Sequence, residues 1–549
     1  MNHRHVALSI AGLALALGVQ AKAQVFNERY SDWPEQHRIN GRILVDNGMQ
    51  DLGRLEPVLA RFLAKKTVVC FSGGKAAGKS SLRQAMENAV GEEGSFASIH
   101  SARLAPKLAA SVIDAADCVY IADDSLQLKE LHPTLAALVK RGGMLVVDSS
   151  VAKWLGKHYV DEGETKEGLD LLPDCVVHCD SDGTSSNEGI LKTLAENPRT
   201  VGVRLAAESA FLLSGRKLMA FGKGKTTMLL AAGNAAETKI AELSEQQSRR
   251  QNPEEYLADL TQWRRVAIDR DLEPFPGAKP VKPSVENGTL IIVGGGGSPR
   301  GMMTRFVELA GGVENARLVY VPCAEQDDVG ERHGMVRAWK RMGIKNATFI
   351  HTKDRVKANS DEEFLAPLKD ATGIFFGGGR QWNFADSYYG TKAHKLMKDV
   401  LKRGGVIAGS SAGASIQGRF LARATPIGNF RIMAPGYERG GLGFLTGVAI
   451  DQHFTQRGRQ KDMTGLMKVY PQLLGIGLDE ATAIEVQKSV AKVTGRGRVF
   501  FYDTNSEVEE GQPDYIALPA GSSYDLVKRE VLVDKREESE DSSAEADDR

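Results

Sequence analysis

The chain has 549 residues, a length that implies more than one domain. Its 70 Lys and Arg residues balance 70 Asp and Glu residues, which excludes a broad nucleic-acid footprint but leaves room for local charged pockets. Five cysteines, an odd number lying mostly in apolar runs, exclude a disulfide framework.

At the N-terminus, His3, Arg4 and His5 precede an apolar run from Val6 to about Val19. Ala21-Lys22-Ala23 and Gln24 follow. A basic start, a short apolar centre and small residues at the cut are the layout of a secretory signal peptide. The run is too short to span a bilayer. Residues 1–23 are therefore expected to be removed. The mature chain would start near Gln24, work outside the cytoplasm (periplasmic or secreted) and have no membrane association.

Residues 24–240 alternate β-branched runs with amphipathic stretches. The runs include Thr67-Val68-Val69-Cys70-Phe71, Cys118-Val119-Tyr120-Ile121 and Met144-Leu145-Val146-Val147. That alternation predicts a parallel sheet covered on both faces. Gly73 to Ser80 fits the phosphate-loop pattern after a strand, and Asp123-Asp124 ends the run that starts at Cys118. Nucleotide binding is therefore one alternative. Against it, an exported protein meets little ATP, and the region is expected to correspond to the Gly294-Gly295-Gly296-Gly297 turn further on, which lacks the lysine. Cys175 and Cys179 flank His178 but are incomplete as a zinc site, so the stretch reads as a buried strand. No metal is expected.

Residues 241–288 are charged and contain Pro274, Pro276, Pro280 and Pro283; a helix ending the first domain and then a linker are expected there. Residues 289–533 form a second α/β domain. Residues 534–549, acidic and Ser-rich, read as a disordered solvated tail.

The second domain repeats the plan of the first. Lys140 to Ser149 matches Lys402 to Ser411, both segments ending on a serine, and Cys118 to Ile121 matches Gly373 to Phe376. Val201 to Lys225 aligns without a gap with Leu474 to Arg498, at an offset of 273 residues. An ancient duplication is the simplest account.

Only the second copy carries the groups for nucleophilic chemistry. In Val406 to Ser415 an apolar run meets Gly409-Ser410-Ser411-Ala412-Gly413, a G-x-S-x-G pattern that a helix can follow. Such a turn is a nucleophile elbow: the glycines permit a sharp bend, and the bend lifts the Ser411 hydroxyl off the sheet edge. The amide of Ala412 then points where an oxyanion would form. Downstream, Val448-Ala449-Ile450-Asp451-Gln452-His453 delivers a base to the same edge, and Gly475 to Glu480 delivers a carboxylate. Ser411, His453 and Glu480 are thus the expected catalytic triad. The equivalent positions in the first copy are Ser149, Asp180 and Ala207, with Val147 and Val151 in place of the flanking glycines. That copy is expected to be degenerate, with a structural or substrate-guiding role.

Four segments of the second copy come in an order that resembles the cyanophycinase branch of the S51-type serine peptidases, over roughly Leu290 to Val533. They are Phe376-Gly377-Gly378-Gly379-Arg380-Gln381, Gly409 to Ser415, Asp451 to Arg459, and Gly477 to Ala483. The resemblance implies tandem class I glutamine-amidotransferase-like (flavodoxin-like) parallel-sheet domains. It also implies acyl transfer through a Ser-His-Glu triad without a cofactor. Ala412 and the Gly378-Gly379 loop would form the oxyanion hole. The implied substrate is a polymer of aspartate bearing arginine, cut to β-Asp-Arg. Gln381, Asp451, Gln452, Arg457 and Arg459 are the substrate-binding positions it implies. One departure is Asp462, where the family pattern has a further arginine. It leaves other aspartyl or isoaspartyl peptides open. A non-catalytic binding or scaffold protein is the remaining alternative, and a homodimer is left open.

Overall fold

The computed structural model describes residues 33, 39–73, 80–101, 104–161, 164–180, 187–234, 236–330, 333–428, 431–504 and 512–536. The expected signal peptide, all but two residues of the glycine-lysine loop (Gly74 to Lys79) and residues 537–549 of the expected tail lie outside them.

Contacts divide the chain into two units. The first holds residues 36–274 with 426–429; the second holds residues 275–425 and 430–549, with 1–35. In the first unit an eight-stranded sheet runs, edge to edge, Leu257–Asp259, Lys217–Gly222, Ser209–Ser214, Arg42–Asn47, Met144–Asp148, Cys118–Ala122, Thr67–Ser72, Ser95–His100. The last five strands pair in parallel, as β-branched runs joined by helices require. A second sheet of six strands runs Lys239–Leu243, Thr226–Leu230, Val201–Leu205, Leu172–Cys179, Gly156–Asp161, Glu164–Glu167.

The second unit repeats this order. Its nine-stranded sheet, read from the opposite edge, runs Asn346–Phe349, Arg317–Val321, Gly373–Phe376, Val406–Ser410, Val285–Val293, Thr482–Lys488, Val490–Gly495, Ser523–Asp525, Glu530–Val533. Its five-stranded sheet runs Gly418–Phe420, Leu445–Gln452, Leu474–Leu478, Arg498–Tyr502, Ile516–Pro519. Met144–Asp148 thus takes the place of Val406–Ser410, and Leu172–Cys179 that of Leu445–Gln452. The same order corrects one expected correspondence. Arg42–Asn47 takes the place of Val285–Val293, so the Gly294-Gly297 turn matches the chain after Asn47. The Gly73 loop follows Thr67–Ser72, whose counterpart is Arg317–Val321. The two glycine turns lie on different strands and are not equivalents.

The central strands of the second unit are buried on both faces. Leu290, Ile292, Ile374 and Ile407 face one apolar layer, and Ile291, Val293, Phe375 and Ala408 face another. Helices cover each face, which is why these strands read as continuous apolar runs.

The stretch expected to be mostly linker is folded as far as Asp271. Lys239–Leu243 pairs antiparallel with Thr226–Leu230, and Leu257–Asp259 pairs with Lys217–Gly222. Asp259 then caps the helix Leu260–Asp271, accepting from the Gln262 amide at 2.8 Å, and binds buried Arg216 through two hydrogen bonds of 2.6 and 2.8 Å. Leu260, Trp263, Val266 and Ala267, at helical spacing, join the core of the first unit. Their spacing outweighs the charged composition around them.

Candidate active site

Val406–Ser410 ends in a turn that only small residues permit. Ser411 has φ 56° and ψ −113°, a conformation that costs a non-glycine residue about 1–3 kcal/mol. The helix Ala412–Ser415 follows at once. A Cβ on Gly409 would lie 2.1 Å from the Gly413 carbonyl oxygen, and one on Gly413 would lie 2.2 Å from the Phe376 oxygen. Either contact would force the bend open. The Ser411 amide donates to Val293 O at 3.1 Å, tying the elbow to the neighbouring strand.

His453 follows Leu445–Gln452 with φ 50°, and its amide donates to Gly294 O at 2.8 Å. Its Nε2 lies 3.0 Å from Ser411 Oγ, placed to accept the hydroxyl proton. Its Nδ1 lies 2.5 Å from Glu480 Oε1, so an Nδ1–H donates to the carboxylate and fixes the tautomer. Burial pulls the imidazole below its ordinary pKa. The hydrogen bond to Glu480 opposes that pull, and the charges of Arg457 and Arg459 add to it. A neutral imidazole is the form that can take a proton.

A group that sequence reasoning missed seats both side chains. Gly295 and Gly296 have φ 96° and 60°. A Cβ on Gly295 would stand 2.4 Å from His453 Cε1, and one on Gly296 would stand 2.3 Å from Glu480 Cδ. The turn 294–297 therefore lies flat against the imidazole and the carboxylate. The Ala481 amide closes it by donating to Gly295 O at 2.8 Å. Gln456 accepts from the Glu480 amide at 3.0 Å, and Asp479 holds the Thr455 amide and hydroxyl at 3.0 and 2.6 Å. The apolar-run reading did not find these residues because they act through backbone and through space.

Ala412 is buried, and its amide donates to no described group. A Cβ on Gly378 would lie 3.5 Å from Ser411 Cβ, so this glycine lines the space beside the serine. Gly379, with φ 145°, turns against Cys323 instead.

The five expected substrate-binding positions divide. Asp451 is fully buried and pairs with Arg423 at 2.7 Å and Arg459 at 2.9 Å. Arg459 also donates to Gln452 O at 2.6 Å, and Arg423 also reaches Asp462 at 2.7 Å. Two carboxylates and two guanidinium groups thus form one balanced network. Gln381 is buried and donates to Ala422 O and Arg423 O, both at 2.9 Å. These groups shape the wall of the site through internal bonds. Gln452 is buried but its Oε1 accepts no hydrogen bond, and Arg457 is exposed beside His453. Those two retain capacity for a ligand. Among the described residues, no cluster of His, Cys, Asp and Glu is arranged to hold a metal ion.

A serine on a strained elbow has a histidine within hydrogen-bonding reach and a carboxylate behind it, and the chain is a serine-type peptidase. Residues 290–494 match the profile described as Peptidase family S51. A cyanophycinase of Geminocystis herdmanii is 29% identical over 206 residues, 37% of this chain and 74% of that protein. A cyanophycinase of Synechococcus elongatus is 30% identical over 213 residues, 37% of this chain and 63% of that protein. Among solved structures, a peptidase from an acI-B1 Actinobacterium is 23% identical, with a TM-score of 0.31, covering 44% of this chain and 97% of that one.

Proposed function

We propose that this protein is an exported serine peptidase that hydrolyses cyanophycin or related aspartyl and isoaspartyl peptides, with Ser411, His453 and Glu480 as its triad. The observation that carries the reading is the continuous run from Ser411 Oγ to His453 Nε2 and from His453 Nδ1 to Glu480 Oε1, at 3.0 and 2.5 Å.

In this reading Ser411 Oγ attacks the scissile carbonyl while its proton passes to His453 Nε2. Glu480 stabilises the imidazolium that forms. The oxyanion takes hydrogen bonds from the amides of Ala412 and the Gly378-Gly379 loop; each such donor is worth on the order of 3 kcal/mol of barrier. The C–N bond breaks as His453 returns the proton to the leaving amine. Water, deprotonated by the same imidazole, then attacks the ester and releases the acid and Ser411.

The substrate class rests on the names of the relatives and on two side chains. Gln452 Oε1 is a buried acceptor in need of a donor, and Arg457 is an exposed cation beside the base. An arginine of this kind suits a carboxylate. Asp462, bonded to Arg423, keeps related aspartyl peptides within the class. Export rests on the residues from His3 to Gln24. The shared strand order of the two units supports descent by duplication, with a first unit that has lost its chemistry.

The test is release of β-Asp-Arg from purified cyanophycin by the chain starting at Gln24, with Ser411→Ala as control. Release by wild type alone supports triad and substrate together. Labelling of Ser411 by a fluorophosphonate without release keeps the peptidase and moves the substrate to other aspartyl peptides. Release by Ser411→Ala at the wild-type rate rejects the triad.

A further inference from the structure

A cavity of the second unit, about 590 Å³, contains none of the groups around Ser411. Its size suits a small ligand, for which pockets run to about 300–1,000 Å³. It opens along the helix Lys392–Lys402 and the chain about Arg419 and Leu442. Its chemistry is one-sided. Lys392, Lys395, Lys398 and Arg419 line it, and no Asp or Glu is among its lining residues.

The cations differ in what neutralises them. Lys392 pairs with Glu362 at 2.5 Å, and neighbouring Lys402 pairs with Asp399 at 3.1 Å. Lys398 and Lys395 have no carboxylate partner among the described residues. Lys398 is half-buried, and burial together with the charges of Arg419 and Lys402 brings its ammonium down to about 8. Arg419, which also lines the cavity, donates to Arg439 O and to Tyr389 Oη, and its guanidinium lies over the Phe275 ring. His394 adds no charge: its Nε2 bonds Leu442 O at 2.7 Å, its Nδ1 accepts from the Gly390 amide at 3.2 Å, and burial holds it down to about 3. A half-buried ammonium left uncompensated inside a concave site is unfavourable until an anion arrives.

We propose that this cavity is a binding site for a compact multivalent oxyanion, a phosphate or a polycarboxylate, held by Lys398 with Lys395 and Arg419 and separate from the catalytic serine. The oxyanion would give Lys398 the partner that the fold does not supply. Charge-assisted hydrogen bonds to an ammonium and a guanidinium are the strong kind.

The test is acetylation of lysines in the full chain near neutral pH, read residue by residue by mass spectrometry. Inorganic phosphate and citrate are compared with chloride at equal ionic strength. Saturating oxyanion slows acetylation of Lys398 by about tenfold, while exposed Lys340, outside the cavity, reacts unchanged. Protection by phosphate alone assigns a phosphate ligand, and protection by citrate alone assigns a polycarboxylate. Lys398→Gln abolishes the heat of binding in calorimetry and Lys398→Arg restores it, with peptidase activity unchanged in both. Equal acetylation of Lys398 in all three salts, or undiminished binding by a folded Lys398→Gln variant, overturns the proposal.

Discussion

Gly295 and His453 are packed so closely that a methyl group on the glycine would stand 2.4 Å from Cε1 of the imidazole. With φ 96°, Gly295 also occupies a conformation that side chains resist. Gly295→Ala is therefore expected to push the ring away from Ser411 while leaving the core in place. Misplacement by about 1 Å costs on the order of 10²-fold in rate. Steady-state hydrolysis and fluorophosphonate labelling should both fall by about that factor, with an unchanged circular dichroism spectrum. Wild-type rates would mean that the ring is not seated by this turn.

The acidity of His453 is expected to set the pH dependence of hydrolysis. Burial holds its folded pKa below the ordinary value near 6.5, with Arg457 among the groups adding to the shift. The acidic limb of kcat/KM is then expected below pH about 6.5. Arg457→Gln removes one downward pull, so the limb should move to higher pH. For stability the sign is the same: folding favours the neutral ring, so its contribution is intact above the unfolded pKa and is lost as pH falls from there through the lower folded pKa. A pH–rate profile of the variant that shifts to lower pH would contradict this placement of Arg457.

Asp451 supports two buried guanidinium groups at once. Removing its charge by Asp451→Asn leaves Arg423 and Arg459 without it, although Asp462 still faces Arg423. Breaking a buried pair from one side typically costs about 3–5 kcal/mol. Urea denaturation followed by hydrogen exchange in the strand Leu445–Gln452 should show a loss of that order, about 3–5 kcal/mol. Arg457→Ala, which removes an exposed cation, should leave the same protection unchanged. Equal effects in the two variants would show that the network does not stabilise the site.

The elbow was legible because its constraint is steric and local: Gly409 and Gly413 are small where backbone passes within touching distance. His453 and Glu480 were legible as polar residues at the ends of apolar runs. The Gly294-Gly297 turn was visible as glycine but not as part of the site, since its contribution is space and carries no reactive group. It was also matched to the wrong strand, because glycine-rich turns look alike until the strand order distinguishes them. Arg423 was missed because its partners Asp451 and Asp462 meet it only through the tertiary fold. The helix Leu260–Asp271 was obscured by its charged composition, since even Arg264 and Arg265 are buried beside Leu260, Trp263 and Ala267.

Ser149 has the position of the nucleophile without its surroundings. It follows the counterpart of Val406–Ser410, but it opens the helix Ser149–Ala152 directly, and Asp148 caps that helix by accepting from the Ser150 amide at 3.1 Å and its hydroxyl at 2.6 Å. No positive φ lifts the Ser149 hydroxyl. The residue in the place of His453 is Asp180, a buried carboxylate that binds Arg204 at 2.5 Å and cannot serve as an imidazole does. Ala207 stands where Glu480 would be. A serine hydroxyl without a base has the weak nucleophilicity of an ordinary alcohol. Fluorophosphonate is therefore expected to label Ser411 alone, and Ser149→Ala should leave both labelling and hydrolysis at wild-type levels. A labelled peptide containing Ser149 would mean that the first unit has a base these contacts do not reveal.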